Sequence, residues 1–161
     1  MADGAGAHRA WRGIDELARL VGAYAWVEDR LFRMTGRWAS SPDEGAGASW
    51  PGLRVWCAAA SGHHGEMAGR WADRLPVRAG VDATGLVVAP PGTLAGALRT
   101  LEAEPDRHAA AAVLVEIVLP RLELTYAAHL ASALPVCEAP VIDILAEARR
   151  IIGDEIRRGR A

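Results

Sequence analysis

The chain has 161 residues, a formal net charge of -2 and 51% hydrophobic residues, which is enough for one domain that buries a core without a disulfide or metal staple. That charge balance excludes a nucleic-acid module of the usual kind, because such a module needs a basic face to displace phosphate counterions. No apolar run is long enough to cross a bilayer, and Met1 to Arg12 lacks the apolar stretch of a signal peptide, so the expectation is a cytoplasmic protein with neither nucleic acid nor membrane among its partners.

All 18 basic residues are arginine, a mark of GC-rich coding rather than of mechanism. Cys57 and Cys137 lie far apart without metal-type spacing, which fits reduced thiols. The opening residues 1–12 are small, glycine-rich and aperiodic, which predicts a flexible tail, followed by a single domain over 13–161.

From Ile14 to about Trp38 the apolar residues Leu17, Val21, Tyr24 and Leu31 fall at helical spacing, and Glu28 interrupts the stripe on its core side. A polar Gly/Ser/Pro loop over Ala39 to Ser49 leads to Ser49, Trp50 and Pro51, a hydroxyl cap ahead of a first-turn proline that predicts a second helix to about Leu75. Its stripe of Leu53, Trp56, Ala60, Met67 and Trp71 encloses His63 and His64, with Glu66 on its edge. Adjacent residues on a helix point about 100° apart, so only one of the two histidines is expected to aim at the core.

Residues 76–91 hold too many glycines and prolines for a long helix and predict a crossover, to which a short helix over 92–102 belongs. Pro105 opens the third long helix, in which Ala109 to Leu119 is apolar apart from Glu116. Ideal helical steps place Ala112, Glu116, Leu119, Glu123, Tyr126 and Leu130 on one face, and Pro120 frees the carbonyl of Glu116, which predicts a kink there. A last helix is expected from Pro140 to about Arg158, with Val141, Ile144, Leu145, Ala148, Ile151 and Ile152 leading to Glu155. The fold expected is all-α, a four-helix bundle with one long crossover between its second and third long helices.

Each long helix thus breaks its own apolar stripe with an ionisable group. Buried charges are costly unless paired, hydrogen-bonded or bound to a metal. Carboxylates with imidazoles suit iron or manganese in a dinuclear site. The candidate metal ligands are Glu28, His63, Glu66, Glu116 and Glu155. Tyr126 and His129 are candidate catalytic groups beside them, and His64, Glu123 and Arg158 are candidate contacts to a small-molecule ligand. The blander readings pair Glu28 with an arginine such as Arg33, pair Glu147 with Arg150, and make the tyrosines and tryptophans packing residues.

The final helix reads Asp154, Glu155, Ile156, Arg157, Arg158 and resembles the Asp-Glu-x-x-His element of the ferritin-like superfamily of carboxylate-bundle proteins, with Arg158 where that family places a histidine. On the second helix the order is His63, Gly65, Glu66 rather than glutamate followed by histidine. The resemblance implies the ferritin-like fold, a di-iron cofactor, an oxidase or oxygenase activity on a small metabolite, and a homodimer paired through the first two helices with Trp26 and Phe32 as anchors. Arginine is always protonated and cannot ligate a metal. Arg158 therefore favours the alternative, a metal-free bundle that binds a small molecule or partner through a buried Glu/His/Arg cluster.

Overall fold

A computed structural model describes residues 12–40, 51–77, 80 and 82–161. Among them the regular structure is helical, with no strand. Helix α1 spans Ile14–Ser40 and α2 spans Pro51–Ala72. A short 3-10 turn, Ala83–Leu86, and α3, Leu94–Ala103, lie on the connection to α4, Arg107–Val113. From α4 the chain runs through a π turn, Leu114–Val118, directly into α5, Leu119–Ser132; α6 is Pro135–Gly159.

Each α1 residue in the expected stripe turns inward. Val21, Tyr24 and Leu31 are buried and Leu17 packs at the edge of the core. Successive contacts between α1 and α2 run in opposite directions along the two helices: Ser61 Oγ donates to the carbonyl of Phe32, His64 meets Glu28, and the Trp71 and Tyr24 rings lie 5.1 Å apart. Gly36 is where α2 comes close, since a Cβ there would stand 2.9 Å from Ser61 Oγ. The α5 and α6 helices are antiparallel in the same sense, with His129 on Glu138 and Glu123 on Arg149. The crossover is held down at Gly22, where a Cβ would sit 2.0 Å from the backbone oxygen of Leu86.

Several expectations are corrected. Residues 1–11 of the expected tail lie outside the described residues; its last residue, Arg12, donates to Ser132 Oγ at 2.5 Å and to Glu138 at 3.3 Å. The expected cap at Ser49 also lies outside them. The last helix begins at Pro135, five residues before the expected start, with Pro140 inside it. Proline at the first helical position has no N–H to lose, and Glu138 Oε1 reaches back to accept the amide of Leu134 ahead of it. The carbonyl that Pro140 leaves without a donor belongs to Val136, a residue 97% exposed to solvent.

Pro120 disrupts its helix as expected, and the form of the disruption is a π turn. Proline supplies no amide to the Glu116 carbonyl, and the preceding turn widens so that Leu119 N–H reaches the Leu114 carbonyl. The widening moves the inward face by about one position. Leu114 and Val115 are buried, while Glu116 is exposed.

Candidate functional site

One group of the polar residues at the core forms a connected array. Glu28 comes from α1, His63 and His64 from α2, Tyr126 from α5 and Glu155 from α6. Glu28, His64, Tyr126 and Glu155 are 0–2% exposed. Both carboxylate oxygens of Glu28 are engaged: His64 Nδ1–H donates to Oε2 at 2.5 Å and the Tyr126 hydroxyl donates to Oε1 at 2.6 Å. That leaves His64 Nε2 pointing to Glu155 Oε2 at 3.4 Å, out of hydrogen-bond alignment, and neither buried atom has another partner. The other oxygen of Glu155, Oε1, accepts from His63 Nδ1–H at 2.9 Å.

The electrostatics follow from this arrangement. Burial opposes the imidazolium form of His64, but the adjacent Glu28 and then Glu155 outweigh it, so the pKa is raised above the ordinary 6.5. Glu155 is also raised, chiefly because burial penalises its carboxylate, despite the help of His64 and His63. Tyr126 is driven well above the usual phenol value by burial and then by Glu28. A proton in this array is therefore held by His64 or Glu155 rather than given up by the phenol.

A second buried chain lies beside the first. Tyr24 O–H donates to His129 Nδ1 at 3.1 Å, and His129 Nε2–H donates to Glu138 Oε2 at 2.8 Å, with Arg12 on the far side of that carboxylate. Burial holds His129 below the ordinary 6.5, against the pull of Glu138. Glu138 stays below the usual 4.5; burial pushes it up, but His129, the Leu134 amide and Arg12 outweigh that. The two chains meet at aromatic rings, Tyr24 and Tyr126 lying edge to face at 4.8 Å.

Of the expected metal ligands, then, Glu28, His63 and Glu155 converge, and Glu66 and Glu116 do not. Glu66 is exposed on α2, and Glu116 is bound at the surface by Arg160 at 2.7 and 2.9 Å. Glu123 is half-buried on Arg149, away from the array. His64, expected as a ligand contact, is the hub of the array. Tyr126 belongs to it through Glu28, whereas His129 belongs to the second chain. Arg158 is exposed and pairs with neither Glu28 nor Glu155; the two histidines compensate Glu155 instead. The blander pairings also shift: Arg33 binds Asp29 rather than Glu28, and Glu147 pairs with Arg70, leaving Arg150 to Asp154.

The sequence reading missed Glu138 and Arg12. Glu138 precedes the helix start expected at Pro140, and its position in the first turn of a helix opened by Pro135 is the signal that finds it. Among the described residues, no group of three or more His, Cys, Asp or Glu side chains is arranged around a metal position, and no helix is long and apolar enough to cross a membrane. The chain matches no family model, no characterised protein and no solved structure.

Proposed function

We propose that this chain is a ferritin-like four-helix-bundle protein that acts on or binds a small molecule, with Glu28, His64 and Glu155 as its acid–base centre. The bundle reading is supported by the long helices α1, α2, α4 to α5 and α6, joined in the middle by the connection that carries α3. The observation that carries the functional reading is the facing pair His64 Nε2 and Glu155 Oε2, a buried ion pair 3.4 Å apart with no hydrogen bond to either atom. Unsatisfied buried polar atoms cost about 1–3 kcal/mol each, so a fold that keeps two of them together holds a place for a proton or a ligand group. Glu28 orients the imidazole through Nδ1 and stabilises its charged form, as a carboxylate behind a histidine base does. His63 holds the outer oxygen of Glu155 and leads from the array to solvent.

The same pair favours a second reading, a metal centre. His64 Nε2 and Glu155 Oε2 are a nitrogen and an oxygen donor side by side, and the Glu28 hydrogen bond to the opposite ring nitrogen is the support a metal-bound histidine commonly has. His64, Glu155 and His63 would hold such an ion, iron by the ferritin-like resemblance, and it would supply oxidation chemistry. With Glu66 and Glu116 at the surface, the donors that remain are too few for the dinuclear set expected from sequence, and His64, Glu155 and His63 do not surround a metal position as they stand.

The two readings separate in one experiment. Protein loaded anaerobically with ferrous iron, and separately with manganese or zinc, is dialysed and assayed for metal, while nitrogen NMR follows the His64 ring. The acid–base reading expects no retained metal and a protonated Nδ1 whose signal is lost in Glu28→Gln. Retention of about one ion per chain, abolished by both His64→Gln and Glu155→Gln, replaces it with the metal reading. A homodimer through α1 and α2 stays part of the proposal, supported by the exposure of Phe32 and the half-burial of Trp26; sedimentation equilibrium of the parent and of Phe32→Glu tests it, and a monomeric parent protein ends it.

A further inference from the structure

Between α2 and α6 lies an open cleft of about 260 Å³, and His63 and Glu155 form part of its lining. The α2 side is shaped by sequence: Gly52 and Ala59 leave room, and Val55 and Trp56 supply apolar wall. The indole of Trp56 is pinned across the seam, its Nε1–H donating to the backbone carbonyl of Glu155 at 3.1 Å. At the same cleft stands Arg158, one turn beyond Glu155 on α6.

Arg158 differs from its neighbours. Arg149, Arg150, Arg157 and Arg160 each hold a carboxylate, respectively Glu123, Asp154, Asp154 and Glu116. Arg158 has no ion pair or hydrogen bond among the described residues, although it flanks the cleft beside a buried carboxylate. Glu155 is already bound by His63 and faces His64, so Arg158 is left to serve something else. A guanidinium next to an apolar wall matches a ligand with a planar anionic head and an apolar body.

We infer that the cleft binds a small organic carboxylate, its head on Arg158, its apolar body against Val55, Trp56 and Ala59, and its inner end at the His63–Glu155 pair. The inference deepens the reading of the buried array as a small-molecule centre and rests on it for what happens to the ligand, but not for binding itself.

The test titrates the protein with phenylacetate and hexanoate and with the matching neutral amides, read by tryptophan fluorescence and ligand-observed NMR. The acids are expected to saturate one site and the amides to bind at least tenfold more weakly. Arg158→Gln, at an exposed position, should weaken the acids at least tenfold and leave the amides unchanged. Ala59→Trp, also at an exposed position, fills the cleft and should abolish binding of both with an unchanged melting temperature. Absence of saturable acid binding, equal affinity for acid and amide, or acid binding untouched by both variants overturns the inference. His64→Gln separates the two proposals: acid binding retained there, with no chemistry found in the parent protein, leaves the cleft standing and removes only the acid–base centre.

Discussion

Glu28 and His64 are joined by a 2.5 Å hydrogen bond between α1 and α2, with the histidine 1% exposed and the carboxylate fully buried. Removing one partner of such a pair strands the other in a medium that cannot solvate it. Glu28→Ala should therefore cost about 3–5 kcal/mol of stability, read by urea unfolding. Replacing the whole array by apolar residues of similar size (Glu28→Leu, His64→Leu and Glu155→Leu with Tyr126→Phe) should cost less than Glu28→Ala alone. If the quadruple variant is the less stable of the two, the array is a structural fastening and its functional reading weakens.

The two buried histidines predict opposite slopes of stability with pH. His129 has a folded-state value below 6.5, so between that value and 6.5 the unfolded chain binds more protons, and stability falls as the solution is acidified through this interval. Glu138, lowered from 4.5, adds to the loss as pH falls through its own folded value. His64 is raised above 6.5; its contribution is complete below 6.5 and is lost as pH rises through its folded value. Melting temperature should peak between the two histidine intervals. His64→Gln should flatten the alkaline limb and His129→Gln the acid one; a variant that leaves its own limb unchanged refutes the assignment for that residue.

Glycine positions should separate sharply. Gly22→Ala drives a methyl group into the Leu86 carbonyl, a backbone atom that cannot step aside cheaply, and should cost about 1–3 kcal/mol. Gly62 and Gly69, exposed on α2 with nothing near their missing side chains, should gain up to about 1 kcal/mol on substitution by alanine. Calorimetry of the three single variants checks the order.

The two thiols should react at very different rates. Cys57 is buried and its pKa is pushed up to about 11 by desolvation, while Cys137 is exposed. Since the thiolate is the reactive form, a disulfide reagent should titrate one thiol per native chain quickly and the second only on unfolding. Cys137→Ser should abolish the fast phase.

Much of this architecture was legible in spacing alone. The stripe through Val21, Tyr24, Glu28 and Leu31 faces the core as periodicity required, and the α6 stripe from Val141 to Glu155 does the same. Ideal helical steps put Glu116 on the inward face, but the π turn over Leu114–Val118 ahead of Pro120 rotates that face away from it. Proline usually opens a helix, which points to Pro140 from sequence, yet Pro135 already fills that role and Pro140 lies inside. The identity of the inward histidine was open, since the stripe admitted both; packing against Glu28 decides for His64. Pairings across the seam, such as His63 with Glu155 and Arg12 with Glu138, join residues 92 and 126 positions apart, and the spacing within one sequence offers no signal for them.

Neither antiparallel helix pair owns the centre. Glu28 and both histidines arrive with α1 and α2, while Tyr126 and Glu155 arrive with α5 and α6. Until the two hairpins close on each other, Glu28 has only part of its hydrogen bonding and Glu155 stands in water. The centre therefore depends on the seam: a chain whose helix pairs dock out of register keeps its helices but loses the Tyr126–Glu28 and His63–Glu155 contacts, a difference far-ultraviolet spectra would not reveal.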